Sequence, residues 1–170
     1  MSRRVFFSFH YQQDIWRVSQ VRNSGVTQRQ VTGKKFLDHA DWERVQRQGA
    51  SSIKQWINTQ LKGSSVTVVL IGSETASREW VTYEIEQSQI LGKGLLGIRI
   101  HQIKGKDGKT SRRGENPFSR VKVINEPKSF LSFLFPTYLS AQVPIYDWVD
   151  DDGYSNFGAW VDTAAKKAGY

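Results

Sequence analysis

The chain contains no cysteine, which removes disulfides, thiol catalysis and cysteine-based zinc sites. Histidine is nearly as scarce. His10, His39 and His101 lie far apart without ligand spacing, so no metal site is expected. No apolar stretch approaches a membrane span, and Met1-Ser2-Arg3-Arg4 runs straight into a strand-like segment with no signal-peptide core; the expectation is a cytoplasmic protein without membrane contact. Glycine-rich phosphate loops are missing as well. There is no Gly-x-x-x-x-Gly-Lys and no glycine fingerprint after the first strand, which disfavours Walker-type ATP hydrolysis and an ordinary dinucleotide site. Gly72-Ser73 lacks the Gly-x-Ser-x-Gly of a nucleophile elbow. Asp150-Asp151-Asp152-Gly153 lacks the spaced glutamate of a calcium loop and reads as a capped turn.

What is present is a composition suited to one folded domain: 170 residues, 38% hydrophobic and 12% aromatic. The formal charge of +8 invites a nucleic-acid reading, but basic residues are scattered except at Lys104, Lys106, Lys109, Arg112 and Arg113, around the turn signal Asp107-Gly108. A solvated basic loop accounts for them, so nucleic acid is not the expected partner.

Apolar runs at Val5–Phe9, Val66–Ile71 and Leu95–Ile100 read as buried strands, and Lys34–Asp38 and Val121–Ile124 as shorter ones. Helical spacing recurs from about Asp14 to Arg22 (Ile15, Val18, Val21), after a cap at Ser51 or Ser52 (Ile53, Trp56, Ile57, Leu61), and after a cap at Ser77 (Trp80, Ile85, Ile90). A last helix carries Phe157, Trp160, Val161 and Ala164. The aromatic stretch Phe130, Phe133, Leu134, Phe135 and Tyr138 is assigned to the core. Strands alternating with helices indicate an α/β fold: a flavodoxin-like open parallel sheet of about five strands, flanked by helices, in a single domain over 1–170.

Chemistry in such sheets collects at the carboxyl ends of the strands. There, Trp80-Val81-Thr82-Tyr83-Glu84 places an aromatic and a carboxylate on one helical face. The central strand ends in Gly72-Ser73, not in the aspartate that phosphotransfer needs, which argues against a receiver. Ser8-Phe9-His10 ends the first strand, so Phe9 and Trp80 are expected to sandwich a flat ring with Glu84 between them, a set suited to cleavage at a glycosidic carbon. An aromatic core beside a solvent carboxylate is the plain alternative.

These residues resemble a known family. Val5-Phe6-Phe7-Ser8-Phe9 resembles the opening box of TIR domains, and Ser73 through Glu84 their Ser...Ser-x-Trp-x-x-x-Glu box. Gly114-Glu115-Asn116-Pro117-Phe118 and the tail from Tyr146-Asp147-Trp148 to Gly153-Tyr154 resemble the ThsB type of bacterial Thoeris anti-phage systems. The resemblance implies a TIR-like fold and an enzyme that uses NAD as substrate, without a metal, to make a cyclic ADP-ribose-type signal for a separate ThsA-like effector after a phage-derived trigger. It implies Glu84 as catalytic residue and Phe9, His10, Asp38, Ser77 and Trp80 as cofactor-binding residues. It also allows a homo-oligomer, since TIR sites are often completed by a second protomer. Where many TIR domains carry Tyr-Arg this chain has Phe9-His10, which leaves a phosphate-contacting arginine missing or supplied from elsewhere. A non-enzymatic TIR-like interaction or scaffold module is the competing expectation.

Overall fold

The computed structural model describes residues 3–24, 27, 31–33, 45–124 and 134–170. Strands β1 (Arg3–Ser8), β2 (Val31–Gly33), β3 (Val66–Ile71), β4 (Gly94–Arg99) and β5 (Ile145–Asp147) form one sheet in the order β2-β1-β3-β4-β5. Every pairing is parallel, with Val5 opposite Val66, Val68 opposite Leu96 and Arg99 opposite Asp147. The described helices are α1 (Tyr11–Asn23), α2 (Ala50–Lys62), α3 (Glu79–Ile90) and α4 (Gly153–Lys167). This is the expected α/β architecture, and its strand order reverses between β1 and β3, where such sheets bind ligands.

Strand alternation sorts the core into layers. Val5 and Phe7 of β1, Val66, Val68 and Leu70 of β3, and Leu96 and Ile98 of β4 face α1 and α4, meeting Val18, Val21, Phe157 and Val161. On the opposite face, Val69 and Ile71 pack with Val81 and Ile85 of α3, while Phe6 packs with Ile53, Ile57 and Leu61 of α2. All six residues of β3 are buried because both its faces are covered. Removing a fully buried side chain such as Ile57 costs about 2–5 kcal/mol.

Several boundaries differ from expectation, each for a local reason. The fifth strand is Ile145–Asp147, not Val121–Ile124. The backbone of the latter run is paired elsewhere: Gln89 of α3 donates to Lys122 O (3.0 Å) and accepts from Ile124 N (2.6 Å), while Val123 N donates to Thr137 O and Val121 O accepts from Leu139 N in an isolated antiparallel bridge. The edge strand near residue 31 lies just before Lys34–Asp38, which falls outside the described residues. Helix α2 starts after Gly49, whose φ of +90° suits glycine, so Ser51 and Ser52 sit inside the first turn and cap nothing. Ser77 belongs to a 3-10 turn, Thr75–Ser77, and Arg78 is the residue before α3. The aromatic stretch does not enter the core where it is described. Leu134, Phe135 and Tyr138 are exposed, Phe135 by 74%, because Phe118, Val121 and Leu139 already fill the layer against α3. Phe130 and Phe133 lie outside the described residues.

Two motifs are now explained by packing. A side chain on Gly114 would meet the Gly72 carbonyl at 1.9 Å, so the loop after β4 can close over the end of β3 only with glycine there. Arg99 Nη1 donates to Gly114 O (2.7 Å), Asn116 Oδ1 accepts from Phe118 N (2.9 Å), and Phe118 is fully buried. In the tail, the Asp147 carboxylate accepts from Val149 N and Asp150 N, and Asp152 caps α4 by accepting from Ser155 N, as a capped turn requires.

Candidate active site

Ser8 is the last residue of β1, and alternation turns its side chain away from the layer of Phe7 toward α3. There its hydroxyl donates to Glu84 Oε2 at 2.5 Å, with Ser8 fully buried and Glu84 only 7% exposed. The helix backbone is pinned at the same level: Ser88 Oγ donates to Glu84 O (2.6 Å) and lies 2.7 Å from the Thr67 hydroxyl of β3. Burial pushes the Glu84 carboxyl up to about 8, and the Ser8 hydrogen bond pulls the other way. A carboxyl in this state is mostly protonated at neutral pH and ionises readily when a cation is placed beside it. Trp80 precedes it by one helical turn, half-buried on the layer of Phe6 and Ile57, edge-on to Tyr83 with ring centroids 6.1 Å apart.

His10 stands at the start of α1, its Nδ1 3.2 Å from Gln13 Oε1. Burial and the nearby Arg78 charge hold its imidazole below the usual range. Arg78 therefore acts on the same strand-end region as His10; its guanidinium pairs with Glu74. Sequence reasoning did not single out Arg78, although a basic residue two places before Trp80 is a readable signal.

The remaining expected residues are placed differently. Phe9 packs on the layer of Phe7, with its ring centroid 6.0 Å from that of Tyr11, whereas Trp80 packs on the opposite face of the sheet. The expected sandwich of Phe9 and Trp80 around Glu84 is not formed, because residues seven and nine share one face of a strand and residue eight the other. Ser77 is exposed, and its hydroxyl donates back to Glu74 O (2.8 Å). Asp38 lies outside the described residues.

A second buried carboxyl was not foreseen. Asp14, on the first turn of α1, is 1% exposed, and an atom at the Cβ position of Gly72 would lie 2.2 Å from its Oδ2. Its spacing with Val18 and Val21 is that of an inward helical stripe, which is the signal that could have found it.

The decisive comparison is of sequence. Residues 6–105 match the family model described as Thoeris protein ThsB, TIR-like domain. The chain belongs to the ThsB family of TIR-like proteins. A family member from Bacillus cereus (strain MSX-D12), named "Putative cyclic ADP-D-ribose synthase ThsB1", is 36% identical over 195 aligned positions that take in 95% of this chain and all of that protein. The matched segment runs from β1 past α3 to the loop after β4, so this TIR-like chain carries Ser8, Glu84 and Gly72 inside the region that defines the family.

Proposed function

We propose that the chain, read over 1–170 as one TIR-like domain, is an NAD-processing enzyme of anti-phage defence. The observation that carries this reading is the buried Glu84 carboxyl, held by Ser8 at the carboxyl end of β1, where the strand order reverses. The relative named "Putative cyclic ADP-D-ribose synthase ThsB1", aligned over its whole length, supports the same chemistry.

In this reading the cationic nicotinamide ribosyl group enters beside Glu84 and stabilises its carboxylate, lowering the cost of ionising a group that burial holds at about 8. The bond between ribose C1′ and the nicotinamide nitrogen breaks, and its electron pair leaves with neutral nicotinamide. The Glu84 carboxylate stabilises the positive charge left on the ribose. A nucleophilic atom of the adenosine half then closes the ring, whereas capture by water would give linear ADP-ribose; cyclisation therefore requires water to be excluded. Trp80 supplies an apolar wall one turn from Glu84. His10 and Arg78 lie at the same strand ends, and among the described residues Arg78 is a cation that could turn from Glu74 to the diphosphate, in the role that Phe9-His10 leaves open. Asp38 and Ser77 remain candidate contacts of the adenosine half. The product serves a separate ThsA-like effector, a phage-derived trigger starts the reaction, and a second protomer completes the site.

The test is incubation of the parent and Glu84→Gln with NAD in lysate from infected cells, measuring nicotinamide release and cyclic product by mass spectrometry. Equal product from the two would sink the assignment.

A second reading, a non-enzymatic interaction module, draws on exposed Leu134, Phe135 and Tyr138. Loss of phage protection with Phe135→Ser but none with Glu84→Gln would favour it.

A further inference from the structure

A cleft of about 830 Å³ opens between the amino end of β4, the edge strand β5 and the last turns of α4, at the opposite end of the sheet from Ser8 and Glu84. That volume falls within the range of small-molecule sites. Tyr146 and Trp160 line it, stacked in parallel with ring centroids 4.2 Å apart, and both are only half-buried, so the stack presents aromatic surface to the cleft.

Lys93 and Lys167 also line the cleft, and among the described residues no aspartate or glutamate does. Lys93 Nζ donates to Tyr170 Oη (2.9 Å) and Lys167 Nζ to Gln142 O (3.1 Å). Each ammonium keeps two further N–H groups for another acceptor. Three of the last carbonyls of α4, which would repel an anion, are engaged: Ala168 N donates to Ala164 O and Ala165 O, Gly169 N to Lys166 O, and Tyr170 N to Ala165 O. The cleft thus joins an aromatic stack to positive charge that no lining carboxylate balances.

We propose that this cleft binds a nucleotide, its flat base against the Trp160 and Tyr146 stack and its phosphates between Lys93 and Lys167. The site is for binding only. Its lining offers no buried carboxyl and no activated nucleophile, and the Thr163 hydroxyl is spent on Ala159 O at 2.8 Å. The proposal stands independently of the role assigned to Glu84.

Calorimetric titration with ADP at low salt tests it, with adenosine and inorganic pyrophosphate as separate arms. The proteins are the parent, Glu84→Gln, Thr163→Glu and the double variant Lys93→Gln/Lys167→Gln. Thr163 and Lys167 are exposed and Lys93 half-buried, so the cleft variants should fold, which thermal melting checks. The expected result is an ADP binding event in the parent and in Glu84→Gln that weakens about tenfold or more in both cleft variants, with adenosine and pyrophosphate each about tenfold weaker than ADP. Unchanged ADP binding in the cleft variants would overturn the proposal, as would no binding by the parent. Pyrophosphate binding as tightly as ADP would reduce the cleft to a simple anion patch. A change in sedimentation of the cleft variants without any ADP event would assign it instead to contact between copies of the chain.

Discussion

Glu84 and Asp14 are both carboxyl groups buried at the carboxyl ends of neighbouring strands, one on each face of the sheet, and the fold treats them in opposite ways. Glu84 has a buried hydroxyl aimed at it. Among the described residues neither oxygen of Asp14 makes a hydrogen bond of ordinary geometry; the Thr75 hydroxyl lies near enough to favour its charge slightly but donates to Leu70 O. Among the described residues Arg17 pairs with Asp14 at only 4.0 Å, through Nη1, while its Nε and Nη2 donate to Ile103 O and Lys109 O. Burial raises both groups, Glu84 to about 8 and Asp14 to about 6, with Arg17 the largest influence pulling Asp14 back down. At neutral pH Glu84 is mostly neutral and Asp14 mostly charged. A buried carboxyl with a dedicated partner is prepared to change charge during a reaction; one without a partner weakens the fold whenever it ionises.

The largest effect that separates the two should be catalytic. Glu84→Gln is expected to lower NAD turnover about 100-fold or more, the scale of removing a charge that stabilises a transition state, while Asp14→Asn keeps most of it. Nicotinamide release under saturating NAD measures both. Comparable loss from the two variants would erase the functional distinction between the carboxyl groups.

The next effect is steric and belongs to Asp14. A methyl group on Gly72 would collide with its carboxyl at 2.2 Å, so Gly72→Ala should cost about 3 kcal/mol of stability. Urea unfolding provides the measurement. Adding Asp14→Ala should recover much of the loss, because the second change removes the atoms that collide; additive losses would show that Gly72 meets a different obstacle.

These two carboxyl groups also mark how far the sequence could be read. The run of β3, apolar at all but Thr67, admits few alternatives to a strand covered on both faces, and the four-residue interval from Trp80 to Glu84 places a carboxyl on the helix that follows it. Ser8 is readable as the polar interruption of Val5-Phe6-Phe7-Ser8-Phe9. Asp14 shares the inward stripe of Val18 and Val21, but a charged residue on a helix is ordinarily assigned to solvent, and nothing local announces that Gly72 leaves room for it. The pairing of Phe9 with Trp80 failed through strand alternation, which assigns neighbouring residues to opposite faces. Strand β5 has three residues after Pro144, too few to show a period, whereas the β-prone run Val121–Ile124 is held outside the sheet by the side chain of Gln89 and the backbone of Thr137 and Leu139.

A smaller, pH-dependent effect follows from the two raised pKa values. A carboxyl raised by folding binds more protons in the native state than in the unfolded one, so stability falls as pH rises between the two values. For Asp14 that window runs from 3.8 to about 6, and for Glu84 from 4.5 to about 8. Asp14→Asn should therefore match the parent near pH 4 and exceed it above pH 6, by about 1–3 kcal/mol. Glu84→Gln should gain on the parent over the higher window. Unfolding midpoints from pH 4 to 9 check both, and identical profiles for the two variants would mean that the environments do not differ as described.

The smallest effect is the most specific to the close hydroxyl at Glu84, which has no equal at Asp14 among the described residues. Ser8→Ala deletes a hydroxyl that favours the ionised carboxylate, at a stability cost of about 1 kcal/mol. The burial that raises Glu84 remains while the opposing hydrogen bond is gone, so the carboxyl should titrate above the parent's value of about 8. If turnover needs the carboxylate, kcat/KM of the parent rises with pH toward that midpoint, and the Ser8→Ala curve lies to its alkaline side. The deficit is then largest near pH 7 and shrinks toward pH 9, a trend that loss of packing alone would not produce. Ser8→Thr, which keeps the hydroxyl, should bring the midpoint back, and Asp14→Asn should leave it in place. A Ser8→Ala profile with the parent's midpoint and a uniform loss at every pH would reduce Ser8 to a packing residue.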